Sequence, residues 1–274
     1  MEKKEENRIE NIEEKVTEKP IQEDIVLEEV KKEGEDEILK ELIAPERERT
    51  REDMERERRV EHLERWKPKT KLGKEVKEKK IKNIDEILNS DRKILEAEIV
   101  DTLVSVKSDL ISIGQSKGKF GGGKRRAWRQ TQRKTKEGNV PTFSAFAVIG
   151  DENGHVGVGV GKSMETLPAR DKAIRTAKLN IMKITRGDGS FDSVGGGNAS
   201  IPFKIEGKAG SVRVRLIPAA PGTGLIVADE LKKVLKLAGI KDVYSKTYGQ
   251  VRTSFNLVKA CIDALKKTNS RRIK

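Results

Sequence analysis

A β-rich stretch interrupted by one tight turn constrains the fold of this chain more than any other feature. Residues 141–149 are rich in β-branched and aromatic residues, and residues 155–161 carry a glycine at alternate positions. Between them, residues 151–154 read Asp-Glu-Asn-Gly, and both Asn and Gly tolerate a positive φ, so this tetrapeptide predicts the turn of a β-hairpin. Apolar residues then recur at helical spacing over 164–184. The stretch therefore predicts a hairpin covered by a helix.

A cationic stretch precedes this hairpin, and it contains four glycines and no acidic residue. Each phosphate that meets a lysine or arginine releases condensed counterions, so clustered cations bind nucleic acid without reading its sequence. Trp128 adds a face on which an unpaired base can stack. We predict a long cationic loop that binds nucleic acid, the alternative being a solvated, disordered tract. Its nine cations are Lys117, Lys119, Lys124, Arg125, Arg126, Arg129, Arg133, Lys134 and Lys136.

Charge divides the chain into two unlike parts. Residues 1–66 hold 15 Lys and Arg against 24 Asp and Glu, whereas residues 67–274 hold 43 against 21. The first part has no aromatic residue before Trp66, so it cannot bury enough apolar surface to offset the loss of chain entropy. We expect a charged extension that is disordered or forms a lone helix over 46–65, or else a docking arm for a neighbouring protein. The basic part is long enough for two small cores and favours a polyanionic partner.

The other segments complete an α+β arrangement. Residues 67–105 are interpreted as a basic approach segment with a helix over 91–106, and residues 110–114 as an edge strand. A glycine-rich linker at 185–199 then leads to a second unit at 200–268, which ends in a basic tail at 269–274. The predicted elements of this unit are strands at 200–205, 211–217 and 243–245 and helices at 224–237, with Gly239 as C-cap, and at 252–267.

Two glycine-rich segments resemble nucleotide-binding loops without meeting their requirements. Val156 stands where a phosphate-binding loop ending at Ser163 would need its first glycine. We expect the glycines of 157–161 to be closely approached by another backbone or by RNA. Residues 218–225 resemble the ATP loop of small-molecule kinases, but Ile, Val and Ala follow at 226–228 in place of small hydroxyl residues. There we predict the start of a helix, whose amides could hold an RNA phosphate.

The histidine and cysteine content argues against catalysis and metal binding. His62 and His155 are the only histidines, and Cys261 is the only cysteine. They cannot supply a metal site or a nucleophile paired with a base, so we expect no enzymatic activity and no cofactor. Cys261 falls at core spacing in the last predicted helix. A single cysteine also favours a reducing, cytoplasmic compartment, and no apolar run is long enough to span a bilayer.

Four motifs, in this order along the chain, resemble those of a known family. They are GDENGHVGVGVGK at 150–162, AIRTAKLNI at 173–181, GSVRVRLIPA at 210–219 and AGIKDV at 238–243. Over residues 66–268 the chain resembles ribosomal protein S5 of the small subunit in its archaeal form, whose eukaryotic counterpart is called S2. The resemblance implies an α+β fold. A double-stranded-RNA-binding-like domain at 106–184 would be followed by a β-α domain, shared with the kinases above, at 200–268.

The resemblance also implies a function. A protein of this family is a structural constituent of the 30S subunit that binds 16S rRNA near the decoding region and the place where messenger RNA enters, and contributes to translational accuracy. Implied partners are 16S rRNA, nearby messenger RNA and ribosomal proteins S4 and S8, with no membrane and no homo-oligomer. The family's RNA-binding role falls on the cationic stretch with Trp128 and on the glycine-rich strand, namely His155, Gly157, Gly159, Gly161 and Lys162.

Two features depart from the family pattern. The cationic stretch is longer than the short turn that is common in the family, and nothing transfers from the family to the charged extension. A free-standing double-stranded-RNA-binding regulatory protein is the alternative, although it would leave the second domain without a role. A small-molecule kinase is a further alternative, and it would require nucleotide binding.

Overall fold

A computed structural model describes residues 61, 63–90, 92–116, 123, 125–188 and 198–270. Most of the charged extension lies outside the described residues. Of the helix expected at 46–65, only residues 61 and 63–65 are described, and these four are helical. The same holds for most of the glycine-rich linker, for residues 271–274 and for three of the nine cations, Lys117, Lys119 and Lys124. Residues Arg65–Lys274 form one compact unit.

Three short helices lead into this unit: α1 (Lys71–Lys77), α2 (Ile84–Asn89) and α3 (Glu98–Leu103). The hydroxyl of Thr70 caps α1 by accepting a hydrogen bond from the N–H of Gly73 at 3.0 Å. The carboxylate of Glu96 accepts hydrogen bonds from the indole of Trp66 and from two backbone amides that precede α1. Among the described residues of the helix expected at 91–106, only α3 is helical, so that helix is shorter than predicted. Helices α1 and α2 lie in the basic approach segment, which is therefore partly helical.

The first sheet is antiparallel and built around two long strands. Strands β3 (Gly138–Gly150) and β4 (His155–Ser163) form the predicted hairpin, which is confirmed. Strands β1 (Lys107–Leu110) and β2 (Trp128–Thr135) both pair with β3: β1 pairs with residues 147–150 and β2 with residues 138–145. Helix α4 (Thr166–Leu179) and strand β5 (Ile181–Lys183), which pairs with β4, follow.

Three predictions for this region are corrected. The second half of the cationic stretch is strand β2 rather than a loop, because Gly138, with φ of +124°, reverses the chain so that β2 pairs with β3. The edge strand is β1, which ends where the strand at 110–114 was expected to begin. The helix predicted over 164–184 ends at Leu179, and the apolar residues after it belong to β5.

Glycines let α4 approach β4 at backbone distance. A Cβ at Gly159 would lie 2.2 Å from the nitrogen of Ala177, and one at Gly161 would lie 2.1 Å from the oxygen of Ala169. Both distances are shorter than any real Cβ contact, so only glycine fits. The face of α4 that packs against these glycines carries fully buried alanines at 169, 173 and 177. The sequence left open whether another backbone or RNA approaches the glycines of this strand, and the structure shows that the backbone of α4 does.

The second sheet has the order β6-β7-β9-β8. Its strands are β6 (Ile205–Ala209), β7 (Val212–Pro218), β8 (Leu225–Ile226) and β9 (Val243–Tyr248), and its helices are α5 (Asp229–Leu237) and α6 (Ser254–Ser270). The predicted helix at 224–237 starts later than expected, because residues 225–226 pair with β9 as a parallel strand. Gly239, with φ of +78°, follows the end of α5 and confirms the predicted cap.

One hydrophobic core joins the two sheets. Buried Phe146 and Val148 of the first sheet cluster with Leu235 of α5 and Leu265 of α6. The ring of Phe146 lies 4.8 Å from the ring of Phe255, centroid to centroid. The first sheet is thus covered by α4 on one face and by the second domain on the other. The two domains therefore have a fixed relation to each other.

Candidate nucleic-acid interface

Strand β2 lies open to solvent along nearly its whole length. Seven of its eight residues are exposed, and only Thr135 is partly covered. Its register with β3 continues past the point where β4 ends, because β3 meets β4 only from Phe143 onward. Residues 131–142 therefore form a two-stranded arm that extends beyond the sheet. Arg133 and Lys134 are on this arm and Lys136 is in its turn.

A row of side chains crosses the base of this arm. Arg129 of β2 is opposite Ser144 of β3, which is opposite Lys162 of β4. Directly opposed residues of an antiparallel sheet point to the same face, so the two cations flank one serine on a single face. Two strand spacings separate them, about 10 Å. This row forms one wall of a groove.

The groove consists of two adjoining depressions of about 840 and 680 Å³ that share Arg125, Arg129 and Arg252 among their lining residues. Arg126 and Trp128 line the first depression only, and Lys162, Val160 and Phe255 line the second only. Among the described residues that line either depression there are five cations and no Asp or Glu. A concave surface with one sign of charge concentrates field and attracts polyanions.

Arg125 connects the two domains at the floor of the groove. Its Nη1 donates hydrogen bonds to the backbone oxygen of Arg252, at 3.1 Å, and to Oγ of Ser254, at 3.5 Å. Oγ of Ser254 in turn donates to the oxygen of Ser112 in the first domain. The bridge between Ser116 and Arg125 closes the base of the segment 117–124. Arg125 thus positions the groove, while the neighbouring cations remain available.

Apart from Arg125, the cations of the groove have no side-chain partner among the described residues. Within the described residues, no side-chain hydrogen bond or ion pair engages Arg126, Arg129, Lys162 or the side chain of Arg252. The same is true of the three cations of the arm, Arg133, Lys134 and Lys136. Elsewhere, Lys178 pairs with Asp101 and Lys183 with Asp85, each at 2.6 Å. The groove and arm therefore present charge that the fold itself does not neutralise.

Comparison with known proteins gives this surface a family context. Residues 127–185 match the family described as ribosomal protein S5, N-terminal domain, and residues 207–273 match ribosomal protein S5, C-terminal domain. The chain is 48% identical over 213 residues to small ribosomal subunit protein uS5 of Nanoarchaeum equitans, an alignment that covers 77% of this chain and 91% of that protein. The chain belongs to the uS5 family.

Two further uS5 proteins show the same extent of similarity. The protein of Thermofilum pendens is 47% identical over 204 residues, which cover 74% of this chain and 94% of that protein. The protein of Methanocaldococcus jannaschii is 42% identical over 209 residues, which cover 76% of this chain and 89% of that protein. These matches confirm the archaeal resemblance. They make the protein a non-catalytic constituent of the cytoplasmic small ribosomal subunit, so the kinase alternative loses its support.

His155 has a structural place in this uS5-family protein, which corrects its assignment to RNA. Its Nδ1 lies 2.6 Å from Oδ2 of Asp151 and its Nε2 lies 2.8 Å from Oδ1 of Asp85, so both ring nitrogens are occupied. The side chain is only 12% exposed. The hydrogen bond with Asp151, reinforced by Asp85, holds the pKa of His155 above its ordinary value despite burial. His155 thus ties the hairpin turn to helix α2.

Gly157, Gly159 and Gly161 are also corrected as RNA-binding residues. A Cβ at any of the three would clash with backbone atoms of α4, so this face of β4 is covered by the helix. Lys162 points to the opposite face and is exposed in the groove. The glycine pattern therefore serves helix packing, and of the predicted residues on this strand only Lys162 reaches the groove.

The glycine-rich segment after β7 does not offer a phosphate site at a helix start. Gly222 and Gly224 have φ of +85° and +76°, and the N–H of Gly224 donates to Oδ1 of Asp242 at 2.7 Å. Helix α5 begins at Asp229, and Asp229 and Glu230 occupy its first turn. Two carboxylates at a helix N-terminus repel a phosphate. The expectation that these amides could hold RNA is thus corrected.

Other residues considered from the sequence have structural positions. Cys261 is fully buried, as predicted, and burial raises the pKa of its thiol to about 12. In the described residues no group of three or more His, Cys, Asp or Glu could hold a metal ion. No helix of the described part of the chain is long and apolar enough to cross a membrane.

Sequence reasoning missed Arg252 as a residue of the groove. It lies 126 residues after Arg126 in the chain, just before α6, and only the shared core brings it to the groove. No local pattern marks it, because a single arginine before a helix is common. The closest available signal was its position in a turn at the start of a deeply buried helix.

Proposed function

We propose that the protein binds 16S rRNA through the groove and the arm. The observation that carries the proposal is that five groove-lining cations face a concave surface without a carboxylate, whereas cations such as Lys178 and Lys183 have acidic partners. Such a surface gains affinity by releasing counterions from the RNA backbone. Trp128, 39% exposed at the edge of the groove, adds a ring on which an unpaired base can stack.

The architecture supports this assignment. Helix α3, the antiparallel strands β1, β3 and β4, and helix α4 follow one another in the order helix, strands, helix. We assign this domain to the double-stranded-RNA-binding-like class implied by the resemblance, with strand β2 as an addition between β1 and β3. A domain of this class recognises the shape and phosphates of RNA rather than its sequence.

We further propose a position near the decoding region and the place where messenger RNA enters, beside ribosomal proteins S4 and S8. There the protein contributes to translational accuracy as a single copy. Support comes from the shared core, since Arg129 of the first domain and Arg252 at the start of α6 lie on one groove with a fixed geometry. RNA bound in the groove is held against both domains at once, so its movement relative to either is restrained.

The test is the salt dependence of rRNA binding, measured by filter binding with small-subunit rRNA. One variant replaces Arg126, Arg129, Lys162 and Arg252 with Ala. The matched control replaces Lys80, Arg92, Lys107 and Lys232, which are exposed cations paired with carboxylates. Both variants lose the same net charge. We expect the slope of log K against log salt to fall by about one for each phosphate that the groove no longer binds, and to stay unchanged in the control.

Equal slopes for the two variants would overturn the assignment of the groove. The proposal of a ribosomal role is tested separately by sedimentation. The full chain should travel with 30S particles at high salt, whereas a free-standing double-stranded-RNA-binding regulator would be released from them.

A further inference from the structure

The second sheet has one face that no helix covers within the described residues. Helix α6 packs on the other face, where a Cβ at Gly207 would lie 2.0 Å from the oxygen of Ala260. Alternation along the strands then places the odd-numbered residues of β7 and the even-numbered residues of β9 on the open side. Burial agrees, because Val212, Val214 and Leu216 are fully buried while Arg213 and Lys246 are exposed.

Three rows of residues cross this open face. In the first, Lys208 is opposite Arg213, which is opposite Tyr248. The second row is Glu206, Arg215 and Lys246, and the third is Ile217, Tyr244 and Ile226. We define these nine residues as the tyrosine face. It contains four cations and one carboxylate, and that carboxylate pairs with Arg215.

Both tyrosines of the protein lie on this face. The sequence has only two, and Tyr244 and Tyr248 are 41% and 44% exposed. They stand on the same side of β9 four residues apart, about 13 Å along the strand, with Lys246 between them. The guanidinium of Arg215 lies 5.7 Å from the ring centroid of Tyr248. Exposed aromatic rings that alternate with cations on an open sheet combine base stacking with neutralisation of phosphates.

We propose that the tyrosine face binds unpaired, single-stranded RNA. Two bases stack on Tyr244 and Tyr248, and the phosphates between them meet Lys246 and Arg213. The excess of positive charge favours a polyanion. The two separated rings favour single-stranded RNA over double-stranded RNA, because the bases of a duplex are already stacked on one another. An acidic protein would be attracted by the same charge but would not use the ring spacing. The proposal does not rest on the groove.

The experiment uses the full chain carrying the four groove substitutions, at Arg126, Arg129, Lys162 and Arg252, so that the groove does not dominate binding. The probe is a fluorescein-labelled oligouridylate of nine nucleotides, followed by anisotropy. Replacing both tyrosines with Ala should weaken binding by about fivefold or more for each ring removed, whereas Tyr→Phe at both positions should preserve it because the ring remains. Thermal unfolding of each variant checks that the fold is intact.

Fluorine NMR locates the binding directly. Protein labelled with 3-fluorotyrosine gives two signals, and both report on the tyrosine face because the chain has no other tyrosine. We expect both signals to move when the oligouridylate is added. Signals that stay fixed while the anisotropy rises would overturn the proposal, since the RNA would then bind elsewhere. Movement with polyglutamate but not with the oligouridylate would also overturn it, by showing a surface for an acidic protein.

Discussion

The first sheet has a packed part and an open part that use charge in opposite ways. In the packed part, Lys183 and His155 share the carboxylate of Asp85, His155 also contacts Asp151, and Lys178 of α4 pairs with Asp101. In the open part, the cations of β2 and Lys162 have no such partner within the described residues. The comparison shows that a cation's partner, rather than its presence in the sequence, separates charge that the fold neutralises from charge left available to a polyanion.

The largest effect is expected where backbone meets backbone in the packed part. Gly159→Val places side-chain carbon where α4 already lies, so the helix must move away from the sheet. We expect a loss of about 3 kcal/mol or more in the free energy of unfolding, measured by urea denaturation. The control is Val160→Ala, next in the strand and 40% exposed on the open face, which should change stability by about 0.5 kcal/mol or less. Similar losses for the two variants would contradict this packing of α4 on β4.

The second effect tests the carboxylate cage around His155. The raised pKa means that protonated His155 stabilises the fold fully below its unfolded pKa of about 6.5, and that this contribution disappears as pH rises through the folded pKa. Replacing His155 with Gln should therefore cost about 2 kcal/mol below pH 6.5 and progressively less above it.

Urea denaturation of both proteins from pH 6 to pH 9 measures this difference. Asp85 and Asp151 have lowered pKa values, so they remain charged throughout that range and do not contribute to the trend. A difference in stability that is constant with pH would show that the pKa of His155 is the same in the folded and unfolded protein, which would contradict the raised pKa.

A third, smaller effect is expected for a paired cation. In Lys178→Met the carboxylate of Asp101, which is 29% exposed, loses its partner. We expect a cost of about 1 kcal/mol in stability, because a partly buried charge is left unpaired. Affinity for rRNA should stay the same, since Lys178 already has its partner in the fold. A large loss of RNA affinity without a loss of stability would show that Lys178 contributes to RNA binding rather than to the stability of the fold.

The smallest effect on stability is expected on the arm. Arg133 is exposed and has no side-chain partner in the described residues, so Arg133→Met should change the free energy of unfolding by about 0.5 kcal/mol or less. Its rRNA affinity should fall, and fall less at high salt. Binding that is unaffected at low salt would exclude Arg133 from the interface.

Local patterns in the sequence predicted the centre of each domain but not its open edges. The hairpin of β3 and β4 and the cap at Gly239 follow from turn chemistry and alternation, which act within a few residues. Strand β2 was missed because both of its faces are polar, so no alternation of burial marks it. The sequence predicts helix where strand β5 lies, because the apolar spacing of α4 continues past Leu179.

The residues of the groove were predicted only in part for a related reason. Composition identified the cationic stretch, and Arg126 and Arg129 of that stretch line the groove. It could not separate Lys162 from the glycines beside it, because that choice depends on which face of β4 the helix covers. It also missed Arg252, which reaches the groove through tertiary packing alone.

The most direct test is a density map of the native small subunit at side-chain resolution. The account predicts rRNA phosphates within ion-pair distance, about 4 Å, of the side chains of Arg126, Arg129, Lys162 and Arg252. It also predicts that the paired cations Lys178 and Lys183 keep their carboxylate partners in the assembled particle. A groove that faces solvent, or that is filled by protein, while rRNA contacts only the paired cations would contradict it.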